Sequence, residues 1–209
     1  DIVNKKQLQA YIEHHNITLI INCAAYTNVD GAETQQQLAM NVNCLGVKNI
    51  AELVSKKNIK LIHISTDYVF NGASSIPYKE DDIPNPQNVY GATKLAGEQA
   101  ILAINPSKTI IIRTSWLYSS FGSNFVKTML RLTATKKEVS VVNDQIGSPT
   151  YAADLAKFIL DISGKLDNKT VTIYHFSNSG FSVDKDGIPL DNFKCTFSHT
   201  SPLVWYTFA

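Results

Sequence analysis

Short apolar runs alternate with helical patterns along most of this chain, and this alternation restricts the possible folds more than any other feature. The apolar runs span 18–25, 60–65, 109–114, 139–142 and 171–176. Helical periodicity occupies the segments between them, at 4–16, 39–56, 88–104, 124–135 and 152–162. Nearly continuous apolar runs are typical of strands buried on both faces of a sheet. The alternation therefore predicts an α/β fold with a doubly wound, Rossmann-like, mostly parallel sheet.

Both ends of the chain depart from this pattern. A doubly wound nucleotide-binding sheet begins with a strand, a Gly-rich turn and a helix whose N-terminus binds pyrophosphate. No such segment precedes the first helix, and no G-x-x-G-x-x-G occurs. Residues 178–209 mix Gly, Pro, Asp and aromatic residues without a clear period. We therefore predict a partial Rossmann-like domain over 1–177, with its first β-α-β unit missing, and an irregular C-terminal segment over 178–209.

Charge and hydropathy exclude several classes of partner. The 209 residues are 44% hydrophobic and 18% charged, with a formal net charge of +1. A nucleic-acid or anionic-membrane partner requires a clustered basic face, and the densest basic group is only Arg131, Lys136 and Lys137. No apolar run reaches the ~18 residues of a membrane span, and no signal peptide is recognisable. The sequence predicts a cytoplasmic protein with neither a nucleic-acid nor a membrane partner.

The cysteines give no sign of a disulfide framework or a metal site. There are three of them, an odd number without a pattern: Cys23, Cys44 and Cys195. We interpret them as buried free thiols in a reducing cytoplasm. The histidines also lack metal-ligand spacing, so no metal site is predicted.

A Tyr and a Lys four residues apart are the first candidates for chemistry. Tyr90 and Lys94 lie on one face of the predicted helix, which Asn88 can cap. A free Tyr has a pKa near ~10, and an ammonium one turn away favours the phenolate. The pair is a plausible general acid/base. Alone the pattern is weak, because most pairs with this spacing only decorate a helix surface.

Further candidates follow the predicted strands, where open parallel sheets bind ligands. Ala24 and Ala25 follow the first strand, and their small side chains would let a flat cofactor approach; they equally suit a tight strand–helix crossing. Thr66 and Asp67 follow the second strand, as substrate hydrogen-bonding groups or as a turn or cap. Trp116 follows the third, as a core residue or a platform for a sugar ring.

Five segments together resemble a known family. They are 22–33, 65–72, Tyr90-x3-Lys94, 113–116 and 143–150. In this order and spacing they resemble the extended short-chain dehydrogenase/reductase superfamily, and within it the dTDP-4-dehydrorhamnose reductases. The resemblance runs from residue 1 to about 177. It implies that the domain over 1–177 is a partial NAD(P)-binding domain carrying the active site, and that 178–209 belongs to the substrate-binding region.

The resemblance also implies a reaction. Family members reduce the C4 ketone of dTDP-4-dehydro-L-rhamnose with NADPH or NADH, giving dTDP-L-rhamnose. By this analogy Tyr90 donates the proton to the ketone oxygen. Lys94 lowers the pKa of Tyr90 and binds the nicotinamide ribose. Thr66 binds the substrate carbonyl, and Asp67 beside it orients the sugar.

The remaining implied residues contact cofactor or sugar. The implied cofactor-binding residues are Ala24, Ala25, Tyr26, Asn43, Lys94 and Asp1, with Asn43 supporting the active site and Asp1 near the adenine. The implied substrate-binding residues are Thr66, Asp67, Tyr90 and Trp116. The expected partner is a dTDP-sugar, and a homodimer is an open expectation. Without the Gly-rich turn, we expect these 209 residues alone to bind the cofactor weakly or not at all.

Two other functions share these residues. A nucleotide-sugar epimerase or dehydratase would also carry Thr66, Tyr90 and Lys94. Dehydratases usually have an acidic pair after the Thr, whereas here Asp67 is followed by Tyr68, which counts against that class. A non-catalytic regulatory subunit, similar to the β subunit of methionine adenosyltransferase, is the other alternative. The intact Thr66, Tyr90 and Lys94 favour an enzyme.

Overall fold

The computed structural model describes residues 1–74, 76–141 and 147–178. They fall into two compact units. The first comprises Asp1–Asn71, Glu80–Arg113 and Ile159–His175, and the second comprises the described residues within Gly72–Lys79 and Thr114–Phe158, together with 176–178. Residues 179–209, and with them nearly all of the predicted irregular segment, lie outside the described residues.

Helices and strands alternate along the described residues. The α-helices are α1 (Lys5–His14), α2 (Val29–Thr34), α3 (Gln36–Met40), α4 (Val47–Lys57), α5 (Val89–Ile104), α6 (Phe125–Thr133) and α7 (Ala152–Ser163). The strands are β1 (Leu19–Asn22), β2 (Lys60–Thr66), β3 (Thr109–Thr114), β4 (Leu117–Tyr118), β5 (Thr150–Tyr151) and β6 (Thr172–Phe176). A π-helical turn, Asn41–Gly46, joins α3 to α4, and a 3₁₀ turn, Asp67–Val69, follows β2.

The main sheet has four strands in the order β1-β2-β3-β6. Strands β1 and β2 are parallel, with Leu19 opposite Lys60 and Asn22 opposite His63. A separate two-stranded parallel pair joins β4 to β5. The predicted α/β fold with a mostly parallel, Rossmann-like sheet is confirmed.

Asparagine begins and ends several of the helices. Asn4, Asn28, Asn88 and Asn124 each accept a hydrogen bond from the backbone N–H three residues later, at 2.7–3.1 Å. These bonds satisfy N–H groups that have no partner inside a helix. The predicted Asn88 cap is thus confirmed. At the other end, Asn58 and Asn105 follow α4 and α5 with φ of 52° and 48°, a left-handed conformation that Asn tolerates.

The hydrophobic core lies between the sheet and helices α1, α4 and α5. Its members are Ile12, Val47, Ile50, Ala51, Leu53, Val54, Ile59, Leu61, Ile101 and Ile111. Leu61 and Ile111 belong to β2 and β3, and most of the others come from the apolar stripe of α4. This packing fixes α5 against the strands that carry the candidate site residues.

Three sequence expectations differ from the structure. The predicted helix over 39–56 is interrupted by the π-helical turn. The first strand is not buried on both faces, because β1 is an edge strand of the described sheet and Ile21 remains 38% exposed. Residues 139–141 form no strand, and position 142 lies outside the described residues. A four-residue apolar run is too short to specify a strand without a neighbour to pair with.

The described cysteines are also not buried as predicted. Cys23 is exposed, because it follows the edge strand β1 in a segment with no regular structure. Cys44, in the π-helical turn, is half-buried. Cys195 lies outside the described residues. No helix among the described residues is long and apolar enough to cross a membrane.

Candidate active site

The polar residues at the end of β2 and directly after it form a compact turn. The Thr66 hydroxyl accepts a hydrogen bond from the Tyr68 backbone N–H at 3.2 Å and donates one to Asp67 Oδ1 at 3.1 Å. Thr66 therefore caps the 3₁₀ turn, which was the alternative interpretation of this residue. Burial raises the pKa of Asp67 to about 6, while the Thr66 hydroxyl and backbone N–H groups act in the opposite direction.

Tyr90 lies in the first turn of α5 beside this turn. Its ring packs edge-on against Tyr68, with 5.6 Å between the ring centroids. Burial raises the pKa of Tyr90, and the charge of Asp67 adds to the effect, whereas a hydrogen bond with Thr66 opposes it. The predicted net lowering of this pKa is not found in the protein chain alone, and Lys94 is not among the groups that shift it. The desolvation of the phenolate outweighs the favourable interactions.

Lys94 lies one turn further along α5 and is 2% exposed. Its Nζ donates to the Ile64 carbonyl in β2 at 2.7 Å. Burial lowers the pKa of Lys94 to about 8, and the Glu98 carboxylate partly opposes this. A buried ammonium is therefore held at the carboxyl end of β2 by a backbone oxygen.

Asn43 lies in the π-helical turn and connects α5 to the segment after β1. Its side chain accepts from the Tyr26 backbone N–H at 2.8 Å and donates to the Tyr26 carbonyl at 3.1 Å. It also donates to the Thr93 hydroxyl at 3.1 Å, and Thr93 donates to the Tyr90 carbonyl at 2.9 Å. Single π-turns inside helices occur frequently at functional sites. Here the turn places the fully buried Asn43 amide between helix α5 and the segment after β1.

Two glycines allow α5 to pack closely against the 3₁₀ turn after β2 and against the π-helical turn. A Cβ added at Gly91 would lie 2.2 Å from the Tyr68 carbonyl oxygen, and one at Gly97 would lie 2.1 Å from the Asn43 carbonyl oxygen. Neither backbone oxygen can be displaced without moving the turn that contains it. Glycine at both positions therefore sets the distance between the Tyr90 helix and its neighbours.

The segment after β1 is open. Ala24 is exposed and Ala25 and Tyr26 are half-buried, and the Ala24 N–H donates to Asn22 Oδ1 at 3.2 Å. Asn22 and Asn43 thus hold the backbone of this segment on either side of two alanines. Asp1 is exposed at the first helix, where its carboxylate accepts from the Val3 N–H at 2.9 Å.

Trp116 belongs to the second unit. It is half-buried and has φ of 45°, a left-handed conformation that is strained for a bulky residue. Its carbonyl accepts from the Thr150 N–H at 3.2 Å, and a Cβ at Gly147 would lie 2.7 Å from its indole ring. The packing within this unit holds the indole in place.

Sequence analysis missed a buried ion pair beside Lys94. Glu98 accepts from Arg113 Nη2 at 2.7 Å and Nε at 3.1 and 3.2 Å, and from the Ser65 hydroxyl at 2.5 Å. Arg113 also lies 5.1 Å from the centroid of the Phe70 ring. The spacing of Tyr90, Lys94 and Glu98, four residues apart each time, was the available signal.

His63 is a second buried polar residue to which the sequence analysis assigned no role. It is fully buried in β2, and its Nδ1 is 3.0 Å from Asn22 Nδ2. Burial lowers its pKa well below the ordinary value, so the ring is neutral. The Asn22 amide can only donate to this nitrogen if the histidine proton is on Nε2.

This combination is typical of one class of protein: a Rossmann-like sheet with Thr66 at the end of one strand and with Tyr90 and Lys94 on the following helix. The class is the short-chain dehydrogenase/reductase superfamily of extended type. The first unit brings Thr66, Asp67, Tyr90, Lys94, Asn43 and Ala24–Tyr26 together around the carboxyl ends of β1 and β2.

The chain belongs to the family described as RmlD substrate binding domain, whose model matches residues 1–185. It is 45% identical over 180 residues to a dTDP-4-dehydrorhamnose reductase of Aggregatibacter actinomycetemcomitans, covering 85% of this chain and 61% of the relative. It is 43% identical over 160 residues to a dTDP-4-keto-6-deoxy-D-glucose reductase of Streptomyces niveus, covering 77% of this chain and 56% of the relative.

A solved structure shows the same fold. The dTDP-4-dehydrorhamnose reductase of Bacillus anthracis, in complex with NADP, is 46% identical with a TM-score of 0.81. The match covers 86% of this chain and 63% of that one. The chain thus spans less than two thirds of the length of each of these relatives.

Proposed function

We propose that this chain carries the active site of an NAD(P)H-dependent reductase that converts the C4 ketone of dTDP-4-dehydro-L-rhamnose to the alcohol of dTDP-L-rhamnose. The observation that carries the proposal is the hydrogen-bonded pair of Thr66 and Tyr90 hydroxyls, with the buried ammonium of Lys94 one turn beyond Tyr90 on the same helix. The family and its named reductases support the substrate class. The partner is a dTDP-sugar, and cytoplasmic location and a homodimer stay predictions.

Tyr90 suits the role of proton donor in the direction of reduction. Hydride addition to a ketone develops negative charge on its oxygen, and two aimed hydroxyl groups stabilise that charge. Since burial raises the pKa of Tyr90, its phenol is protonated at neutral pH and has a proton to give. The Thr66 hydroxyl would supply the second donor when its single proton turns from Asp67 Oδ1 to the ketone oxygen.

The residues after β1 fit a nicotinamide cofactor, which supplies the hydride when bound. Ala24 is exposed and has no side chain beyond Cβ, so a flat ring can reach the backbone there. The Lys94 ammonium has three N–H groups, and its bond to Ile64 uses one of them. Lys94 and the segment Ala24–Tyr26 would hold the cofactor, with Asn43 fixing their relative position. Asp1 and Trp116 stay proposed contacts for adenine and sugar.

A different ketosugar is the second candidate substrate. The 43% identical Streptomyces niveus relative is named for dTDP-4-keto-6-deoxy-D-glucose. The chemistry at the ketone would be the same, so Thr66, Tyr90 and Lys94 do not separate the two sugars. Asp67, which lies beside Thr66, is the proposed residue that orients the sugar.

The decisive experiment is Tyr90→Phe in the full-length protein, with both ketosugars and with NADPH or NADH. We expect the wild type to oxidise reduced cofactor in the presence of dTDP-4-dehydro-L-rhamnose. The variant should lose roughly 10²- to 10⁴-fold in kcat, the range for a lost general acid, while cofactor binding stays close to wild type. Loss of absorbance by the reduced nicotinamide measures turnover.

Tyr11→Phe is the matched control, because Tyr11 is 60% exposed on α1. Steady turnover by Tyr90→Phe would contradict the assignment of the proton donor. Consumption with only dTDP-4-keto-6-deoxy-D-glucose would support the second candidate. Consumption with neither sugar would contradict both and favour a non-catalytic role.

A further inference from the structure

Glu98 forms the centre of a buried polar cluster behind the candidate active site. Its side chain is 0% exposed and lies on the same face of α5 as Lys94 and Tyr90, one and two turns further along. It accepts from the Ser65 hydroxyl at 2.5 Å and from Arg113 through three contacts of 2.7–3.2 Å. A carboxylate in this position uses both oxygens inside the protein.

The partners of Glu98 are placed at the strand ends that carry the site. Ser65 precedes Thr66 in β2, and Arg113 is the penultimate residue of β3. Lys94 donates to Ile64, the residue before Ser65. Two successive residues of β2 therefore bind two successive turns of α5, which fixes the rotation of the helix and its height above the sheet.

The cluster also contains two buried cations that repel each other, and Glu98 offsets this repulsion. Lys94 and Arg113 are both buried cations, at 2% and 4% exposure. Other titratable groups that interact with Lys94 are the thiol of Cys23 after β1 and the neutral ring of His63 in β2. Neither supplies a full negative charge at neutral pH. The Glu98 carboxylate is bonded to Arg113 and lies one turn from Lys94 on α5, so it offsets the repulsion between these two cations, which the low dielectric strengthens.

We propose that Glu98 is a positioning residue that holds Lys94 charged and fixes the Tyr90–Lys94 face of α5 against the ends of β2 and β3. The inference rests on the proposed function for its catalytic consequence. Glu98 acts through Lys94 and Tyr90, so its loss should reduce the rate of reduction more than the affinity for substrate. It should also make Lys94 lose its proton at a lower pH.

The test is Glu98→Gln in the full-length protein, with Glu13→Gln as the matched control. Glu13 belongs to an exposed ion pair with Lys57 on other helices, 2.9 Å apart. We expect Glu98→Gln to lower kcat roughly 10- to 100-fold with little change in KM, as for a lost hydrogen bond to a charged group. The alkaline limb of the pH–rate profile should move down by about one pH unit.

A readout without activity separates this inference from the proposed function. The titration of Lys94, followed by NMR on protein with isotope-labelled lysine and assigned with Lys94→Met, should fall by about one pH unit in Glu98→Gln. It should be unchanged in Glu13→Gln. If the wild type proves inactive on both ketosugars, this titration still tests the role of Glu98. An unchanged titration would overturn the inference whatever the activity.

Ser65→Ala provides the second variant if Glu98→Gln does not fold. It removes one hydrogen-bond donor to Glu98 and introduces no unpaired charge. Hydrogen exchange of the α5 amides around Lys94 should become about tenfold faster, as for one lost buried hydrogen bond, while α4 amides keep the wild-type rate. Equal exchange in wild type and variant throughout α5 would overturn the positioning role.

Discussion

Helices α5 and α6 have the same kind of beginning and opposite surroundings. Each is preceded by an Asn whose side chain caps the first turn, Asn88 and Asn124. Helix α5 buries polar and small residues, including Lys94 and Glu98. Helix α6 has an apolar stripe, yet none of its residues is buried among the described residues, and Leu130 is 66% exposed. The helix with the clearer apolar stripe is therefore the less buried of the two.

The difference shows what holds each helix in place. In α5, partners for the buried charges and glycines for close approach take the place of a continuous apolar face. Such an arrangement is stable only when every buried polar group is satisfied. On α6 the Lys127 ammonium donates to the Ser120 and Gly122 carbonyls in exposed positions, and no described residue of the helix is buried, so substitutions there should cost little.

The largest expected effect on stability comes from separating the buried ion pair. Arg113→Met would leave the Glu98 carboxylate buried without its cation, and should lower the free energy of unfolding by about 3–5 kcal/mol. Urea unfolding measures it. The control is Lys57→Met, which breaks the exposed pair with Glu13 and should leave the unfolding midpoint close to wild type. Equal effects of the two substitutions would contradict the distinction between α5 and exposed helices.

A smaller loss is expected where α5 touches the π-helical turn. Gly97→Ala would place a Cβ 2.1 Å from the Asn43 carbonyl oxygen, so the helix must shift. We expect about 1–3 kcal/mol of destabilisation, the usual cost of overpacking. Gly164→Ala is the control, because no atom lies within 4 Å of its added Cβ. Thermal unfolding compares them, and a Gly97→Ala protein as stable as the control would refute the close contact.

The carboxyl of Asp67 should make stability depend on pH. Its pKa is about 6 when folded and near 3.8 as a free group, so the folded state binds the proton more tightly. Stability from this group is present below pH 3.8 and is lost as the pH rises to 6. Asp67→Asn does not titrate, so its stability relative to wild type should be about 2 kcal/mol more favourable at pH 7 than at pH 4.

Urea unfolding at both pH values measures the Asp67 effect. An equal difference between wild type and Asp67→Asn at pH 4 and pH 7 would show that the carboxyl is not perturbed by folding. If Asp67→Asn is more stable at pH 7, the Asp67 carboxyl lowers the stability of the wild type. Since the same carboxyl is proposed to orient the sugar, this would be a trade-off between stability and function.

The smallest effect should come from α6. Leu130→Ala removes a side chain that is 66% exposed and should change the free energy of unfolding by no more than about 0.5 kcal/mol. The same truncation in α5, Ile101→Ala, removes a fully buried core residue and should cost about 2–5 kcal/mol. A large cost at Leu130 in the full-length protein would mean that α6 packs against further residues.

Much of the fold could be predicted because its signals are local. The strands β2, β3 and β6 and the helices α1, α5 and α7 lie where apolar runs and helical periods placed them. The Asn88 cap was predicted from one residue and its position. The burial of β1 was wrong, since burial depends on which strands pair with it. The short pair β4–β5 was missed, because strands of two residues leave no period to detect.

The candidate site was predicted less completely. Tyr90, Lys94, Thr66 and Asp67 were predicted from spacing, strand ends and family resemblance, and the first unit brings them together. The direction of the Tyr90 pKa shift was wrong because the sequence reports the nearest charge and not the extent of burial. Ser65, Glu98 and Arg113 were missed because their partners are 15–33 residues apart in sequence.

The sequence by itself determined the order of strands and helices, the capping residues and the identity of the candidate acid and its lysine. These depend on neighbours within one or two turns of chain. Only the tertiary structure decided that Lys94 is buried against Ile64, that Glu98 balances it against Arg113, and that two glycines admit α5 to this depth. Those outcomes depend on desolvation and on long-range contacts, which form only when distant segments exclude water together.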